Sequence, residues 1–205
     1  MPLKPIIRDI SWLAFNQRVM QEAKDSKVHL YDRLRFLGIF SNNLDEFYRV
    51  RVGTLNKMVD MDKGKTKMHL EQHPEKILKE IQRTTVKLQR SFDLTFAEIM
   101  RDMSKQHRIF LKNERQLNKE QKEWVRTYFE EKVRTQIVPL MIESMPQAPM
   151  LKDRSIYLAC LMGNALNPML QRYALIQIPE EQTPRFVILP DSQNETHIIM
   201  LEDII

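Results

Sequence analysis

Two adjacent asparagines, Asn42 and Asn43, lie in the middle of a segment whose other residues favour a helix. Asparagine is a poor helix former because its short amide competes for neighbouring backbone groups. At about 100° per residue, Asn43 lies at the edge of an apolar stripe that a helix would bury. The stripe consists of Leu37, Phe40, Leu44, Phe47, Tyr48 and Leu55. A carboxamide at such a border can present a donor and an acceptor together, which matches the N6 and N7 edge of adenine.

The same residues also fit a purely structural interpretation. Asn42 with Asp45, or Asn43 with Glu46, has the spacing of a capping box that restarts a helix after Gly38. Short motifs of this kind have a high false-positive rate. Spacing alone therefore leaves capping and plain surface polarity open beside the nucleobase contact.

Two other patterns suggest chemistry that their surroundings do not support. Residues 64–66, Gly-Lys-Thr, resemble the end of a phosphate-binding loop, but Val59 occupies the upstream glycine position and no strand precedes it. His69 and His73 are four residues apart, a spacing that can hold a metal on a helix, yet no third ligand is evident. We therefore expect no catalytic residue and no metal ligand in this sequence. The other histidines are isolated and expected to be structural or on the surface: His29, His107 and His197.

Proline divides the chain into two regions. Between Ile6 and Val138 the only proline is Pro74, whereas seven prolines crowd the residues after Val138. Because proline is excluded from helix interiors, long helices fit the first two-thirds of the chain and not the last third. Pro74 itself suits the first turn of a helix, where its missing N–H costs nothing. Helices are predicted over residues 9–24, 30–60, 74–105 and 118–135.

After Pro139 the apolar residues occur in short runs of strand length. A further helix is expected to begin near Leu201. The predicted fold class is a mainly α amino-terminal helical bundle, residues 1–105, followed by a partial α+β domain, residues 106–205, incomplete at its carboxyl end. Strands are predicted over residues 156–160, 173–178, 185–189 and 197–200.

Several blocks of this sequence closely resemble one enzyme family. Residues 10–23, Ile-Ser-Trp-Leu-Ala-Phe-Asn-Gln-Arg-Val-Met-Gln-Glu-Ala, are similar to the amino-terminal region of bacterial polyphosphate kinase, the phosphohistidine-dependent family. Residues 33–47, which end in Ser-Asn-Asn-Leu-Asp-Glu-Phe, are similar to the same region. The likeness continues at residues 110–117, 173–179 and 184–187, and so extends over nearly the whole chain.

The resemblance implies a fragment of a larger enzyme that transfers the terminal phosphate of ATP, reversibly, to a polyphosphate chain. In the family, a helical domain and a head domain precede two phospholipase-D-like domains with the phosphorylated histidine, the metal ligands and most phosphate-binding cations. The second asparagine of the Ser-Asn-Asn-Leu-Asp-Glu-Phe motif contacts the nucleotide, and that position here is Asn43. Asn43 is thus the expected ATP-binding residue, Mg²⁺ is expected outside this fragment, and the fragment alone is expected to be inactive.

The partners that the resemblance implies are ATP or ADP, polyphosphate, the remaining domains of the same chain and a second copy bound through the head domain. Nucleic acid is not among them. A helical interaction or scaffolding module that makes no nucleotide contact is the alternative function.

Composition and charge agree with these expectations. The net charge is +5, and residues 1–105 hold 20 Lys and Arg against 14 Asp and Glu, whereas residues 106–205 hold 12 against 13. The surplus suits a polyanion such as polyphosphate or a nucleotide, although a solvated basic helix face explains it equally well. A single cysteine, Cys160, fits a reducing compartment, and no apolar run reaches the length of a membrane span. The expected location is the cytoplasm, with peripheral membrane association left open.

Overall fold

A computed structural model describes most of the chain, which divides into two compact units, Met1–Gln106 and His107–Ile205. The first unit is helical and the second contains the strands. This arrangement confirms the predicted fold class, a helical bundle followed by an α+β part. The phosphate-loop-like residues 64–66 and the pair His69 and His73 lie outside the described residues. The described residues are 7–63, 74–145, 147, 149–164, 167–190 and 194–205.

Four α-helices are described in the amino-terminal unit, close to the predicted positions. Helix α1 is Arg8–Lys24, α2 is Leu30–Phe47, α3 is Gly53–Lys63 and α4 is Pro74–His107. A π-helical turn, Tyr48–Val52, joins α2 to α3, so the helical segment predicted over residues 30–60 is continuous but not uniform. Among the described residues, no helix is both long enough and apolar enough to cross a bilayer.

The core of this unit consists of the apolar stripes of its helices. Leu37, Phe40, Phe47 and Leu55 are buried, as their spacing predicts. Tyr48 is 36% exposed and does not belong to the core. The π turn starts at this residue, at the margin of the stripe, where an ideal helical wheel no longer describes the side-chain directions. The buried members of the core are Leu13, Met20, Ala23, Leu30, Leu37, Phe40, Phe47, Leu55, Ile77, Ile81, Leu88 and Ile99.

A buried arginine connects three helices of the same unit. The guanidinium of Arg33 in α2 donates to the carbonyl oxygen of Ala23 at 2.8 Å, near the end of α1. It also donates to Glu98 at 3.0 Å and to Asp102 at 3.2 Å, both on α4. A buried guanidinium is tolerated only when its donors are paired, and this one has partners on both neighbouring helices. Arg33 therefore fixes how α1 and α4 lie against α2.

The second unit contains a short helix and two small sheets. The helix, α5, begins at a capping box in which the side chains of Asn118 and Gln121 bond each other's backbone N–H groups. Beyond Tyr128 it continues as a π turn and then a 3₁₀ turn as far as Gln136, which accounts for the helix predicted over 118–135. In chain order the elements are β1 Ile109–Lys112, α5 Lys119–Tyr128, β2 Pro139–Met141, β3 Tyr157–Asn164, β4 Asn167–Gln177, β5 Phe186–Ile188, β6 Thr196–Met200 and α6 Leu201–Ile204.

One sheet has the order β1-β6-β5 and the other has the order β2-β4-β3. Strand β1 pairs with β6 in parallel, with Ile109 opposite Thr196, and the remaining pairings are antiparallel. The four predicted strands are present, as is the helix predicted to begin near Leu201. Strands β1 and β2 were not predicted from the sequence. The buried core of this unit consists of Leu117, Val133, Ile178, Val187, Leu189, Ile199, Leu201 and Ile204.

Candidate functional site

Asn42 and Asn43 lie within an unbroken helix. Helix α2 extends from Leu30 to Phe47, and its N-cap is His29. An N-cap residue lies at the first turn with non-helical backbone angles, so neither asparagine can cap this helix. The capping interpretation is therefore wrong. Asn42 is exposed and Asn43 is half-buried, as expected for a residue at the border of the apolar stripe.

The side chain of Asn43 is held by a second asparagine on α1. The Nδ2 group of Asn43 donates to Oδ1 of Asn16 at 3.1 Å. Asn16 is completely buried, and its own Nδ2 donates to the carbonyl oxygen of Phe40 at 3.1 Å. These two bonds give both amides a defined orientation. The Oδ1 atom and the second N–H of Asn43 remain available as an acceptor and a donor for another molecule.

Asn16 is a site residue that the sequence interpretation missed. A signal was present, because Asn16 occupies the buried face of α1 with Leu13, Met20 and Ala23, at offsets of three and four residues. An amide on such a face needs a hydrogen-bond partner, since an unpaired buried polar group is costly. That partner could not be identified from spacing, because it lies on another helix.

The helices around this asparagine pair are packed by aromatic and charged contacts. The ring of Trp12 on α1 stacks on Phe47 of α2, with centroids 4.6 Å apart and planes 10° from parallel. Arg51, in the π turn, donates to both carboxylate oxygens of the buried Asp9, at 2.8 and 3.3 Å. The hydrogen bond to Asp9 is the main reason why the pKa of Arg51 is raised above its usual value. Both contacts join α1 to α2 or to the π turn that follows it. They hold the two helices together where the Asn16 and Asn43 amides meet.

An exposed apolar side chain lies near each of the two asparagines in sequence. Ile39 lies one helical turn before Asn43 and is exposed, and Phe15, the neighbour of Asn16, is exposed as well. A groove of about 360 Å³ lies on another side of α2, between this helix and α4. Asn43 does not line that groove, because its side chain is directed to Asn16 on α1. Any contact made by Asn43 therefore forms at the surface shared by α1 and α2.

His197, in the second unit, is a structural histidine. His197 is buried, and its Nδ1 atom lies 2.7 Å from Nε2 of Gln121. Its Nε2 atom lies 3.0 Å from a carboxylate oxygen of Glu195, which also pairs with Arg108 at 3.1 Å. The hydrogen bond to His197, followed by that to Arg108, lowers the pKa of Glu195. Both ring nitrogens are thus engaged within the fold, which confirms the structural role predicted for this histidine.

The described residues do not fit a metal centre. Among residues 7–63, 74–145 and the later described segments, no three His, Cys, Asp or Glu side chains are grouped so that they could hold a metal ion. Mg²⁺ in phosphotransfer sites is usually held by one or two carboxylates together with water and substrate phosphates, so it does not require such a group. The expectation that Mg²⁺ binds outside this fragment stays a prediction.

The structure thus defines a two-part protein, a helical unit that presents a positioned carboxamide and a small α+β unit. Residues 6–112 match the family model of the polyphosphate kinase N-terminal domain, and residues 120–205 match that of the polyphosphate kinase middle domain. The chain therefore belongs to the polyphosphate kinase family. This confirms the resemblance carried by the Ser-Asn-Asn-Leu-Asp-Glu-Phe motif.

Individual relatives agree with this assignment. The chain is 39% identical over 203 residues to a polyphosphate kinase of Vibrio cholerae serotype O1, and 38% identical over 207 residues to that of Escherichia coli K12. Both alignments cover 98% of this chain but only 28% of the relative. The crystal structure of polyphosphate kinase from Porphyromonas gingivalis matches with a TM-score of 0.78 and 30% identity, over 96% of this chain and 29% of that one. The chain spans less than a third of the length of these relatives.

Proposed function

We propose that this chain is the amino-terminal and head region of a polyphosphate kinase that transfers the terminal phosphate of ATP, reversibly, to a polyphosphate chain. Family membership over both matched regions supports this proposal. Within such an enzyme we assign residues 1–105 to the helical domain and residues 106–205 to the head domain. The head domain would contribute contacts to a second copy, and the enzyme would act in the cytoplasm.

The role of this region is to form one wall of the ATP site through Asn43. The observation that carries the proposal is the bond from Asn43 to the buried Asn16, which orients the amide before any ligand arrives. Its free acceptor and donor match the adenine edge, and the exposed Ile39 and Phe15 offer apolar surface that a purine ring can cover. A positioned group of this kind binds without first losing side-chain freedom.

Asn43 binds and takes no part in the chemistry. A neutral carboxamide cannot act as a general acid or base at neutral pH. Phosphoryl transfer needs a nucleophile, metal ions and cations preorganised around the phosphate, and we assign all of these to the part of the enzyme beyond residue 205. Residues 1–205 incubated with ATP and Mg²⁺ should therefore produce no polyphosphate.

The test is the substitution Asn43→Ala in a full-length polyphosphate kinase that contains this region. Loss of this neutral contact costs about 1 kcal/mol. The KM for ATP should therefore increase by a factor between a few and about ten. The value of kcat should stay the same, because the contact is equal in the ground and transition states.

The matched control is Asn42→Ala, since Asn42 is the same residue type on the same helix but is exposed. It should leave KM and kcat unchanged. An unchanged KM in a correctly folded Asn43→Ala enzyme would remove Asn43 from the ATP site and favour the scaffolding alternative. Synthesis of polyphosphate by residues 1–205 alone would contradict the assignment of the chemistry to other domains.

A further inference from the structure

The outward face of α4 carries a row of five cations: Lys76, Lys79, Arg83, Lys87 and Arg90. Their offsets of three and four residues place them on one side of the helix, opposite the core. All five are exposed, and we call them the α4 basic stripe. The 14 residue-to-residue steps from Lys76 to Arg90, at 1.5 Å each, give the stripe a length of about 21 Å. The buried residues of the same helix include Ile77, Ile81, Thr85, Leu88 and Ile99.

No described residue forms an ion pair with any of these five cations. The acidic side chains three or four residues from them on the same helix are Glu75, Glu80 and Asp93. Elsewhere in the same unit, four arginines are paired with acids. The paired arginines are Arg33, Arg35, Arg49 and Arg51. A shallow groove of about 520 Å³ follows the stripe and is lined by Lys76, Lys79, Glu80, Arg83, Thr84 and Lys87.

We propose that the α4 basic stripe binds the polyphosphate chain, an inference that rests on the proposed function. A linear polyanion with one charge per phosphate can lie along a straight row of cations and release its counterions. Nucleic acid fits less well, because the stripe has no aromatic side chain on which bases could stack. A bilayer fits less well too, since the exposed Val86 and Leu94 are two isolated side chains and form no continuous apolar row.

The chain contains a matched row for comparison on α5. Lys119, Lys122 and Arg126 have the residue types and spacing of the first three stripe residues, and all are exposed. Both rows have a glutamate four residues after the first lysine. On α4 the row continues with Lys87 and Arg90, whereas the equivalent positions after α5 are Glu130 and the buried Val133. The two rows therefore differ in their length and not in their first three charges.

The experiment measures binding of end-labelled long-chain polyphosphate to the 205-residue chain at several salt concentrations, without ATP. The triple variant Lys76→Gln/Lys79→Gln/Arg83→Gln should bind at least about tenfold more weakly, with a salt slope smaller by about two, as expected when three charge contacts are lost. The charge-preserving variant Lys76→Arg/Lys79→Arg should bind like the unmodified chain. Circular dichroism confirms that each variant is folded.

The control triple variant Lys119→Gln/Lys122→Gln/Arg126→Gln has the same net charge and should lose less than about twofold in affinity. An equal loss in both triple variants would overturn the proposal, because binding would then depend on net charge alone. Equal affinity for tripolyphosphate and long chains would overturn it as well. So would tighter binding of single-stranded DNA or of phosphatidylserine vesicles than of polyphosphate.

This result and the ATP test can fail separately. If the stripe variants show no specific loss of polyphosphate binding, the stripe proposal fails, but the expected KM change of Asn43→Ala is unaffected. An enzyme that binds polyphosphate along α4 but makes none from ATP would refute the proposed function and retain the stripe as a polyanion site.

Discussion

The hydrogen bond between Asn43 and Asn16 predicts that the two residues are energetically coupled. Asn43→Ala leaves Oδ1 of the fully buried Asn16 without its partner, which costs about 1–3 kcal/mol. Asn16→Ala should also cost about 1–3 kcal/mol, because it removes two hydrogen bonds and leaves a gap in the core. In Asn16→Ala, the half-buried amide of Asn43 can regain a partner from water.

The double variant should therefore be only slightly less stable than Asn16→Ala, since the orphaned acceptor no longer exists. The coupling energy from the double-mutant cycle should be about 1 kcal/mol or more. Alanine is a better helix former than asparagine by about 0.6 kcal/mol, which offsets part of the loss in Asn43→Ala. Asn42→Ala, on the same helix but exposed, measures this offset directly.

The assay is urea unfolding of the 205-residue chain followed by tryptophan fluorescence. The chain has two tryptophans, one in each unit, and Trp12 stacks on Phe47 beside the asparagine pair. In a Trp124→Phe background the signal reports the helical unit alone. Additive single and double variants, within about 0.3 kcal/mol, would refute the coupling and with it the preorganised amide.

Two further predictions concern each unit separately. Arg33→Met removes the guanidinium that donates to Ala23, Glu98 and Asp102, and should destabilise the helical unit by about 2–3 kcal/mol by Trp12 fluorescence. The control Arg35→Met, at an exposed position, should change stability by less than about 0.5 kcal/mol, and an equal loss in both would contradict the bridging role. In the second unit, burial opposes ionisation of Glu202, but the hydrogen bond from Arg185 and a backbone N–H lower its pKa on balance. A lowered folded pKa stabilises the unit above the unfolded value of about 4.3, and this contribution is lost as the pH falls below it. Glu202→Gln should flatten the acid-induced loss of Trp124 signal below about pH 4.3, and an unchanged profile would exclude this carboxylate as its cause.

The sequence predicted those parts of the fold that depend on local patterns. Helical spacing and the position of Pro74 predicted α1, α4 and the helical segment from Leu30 to Lys63 to within a few residues, but not the division of that segment into α2, a π turn and α3. Short apolar runs predicted β3 to β6. Strand β1 was missed, because Ile109–Lys112 directly follows a helix and its parallel partner begins at Thr196. Parallel pairing over such a separation leaves no hairpin turn beside β1 that could mark it in the sequence. The predicted limits of the two domains and the role of Asn43 stay predictions.

The candidate site, like the fold, has one part that the sequence predicted and another that it did not. The sequence alone identified Asn43 as a polar residue at the edge of a buried stripe, and its motif indicated a nucleotide contact. Only the tertiary structure decided that Asn43 is not a cap and that Asn16 orients its amide. The physical reason is that a periodic pattern defines which face of a helix is buried, whereas a hydrogen bond between helices depends on how those faces pack.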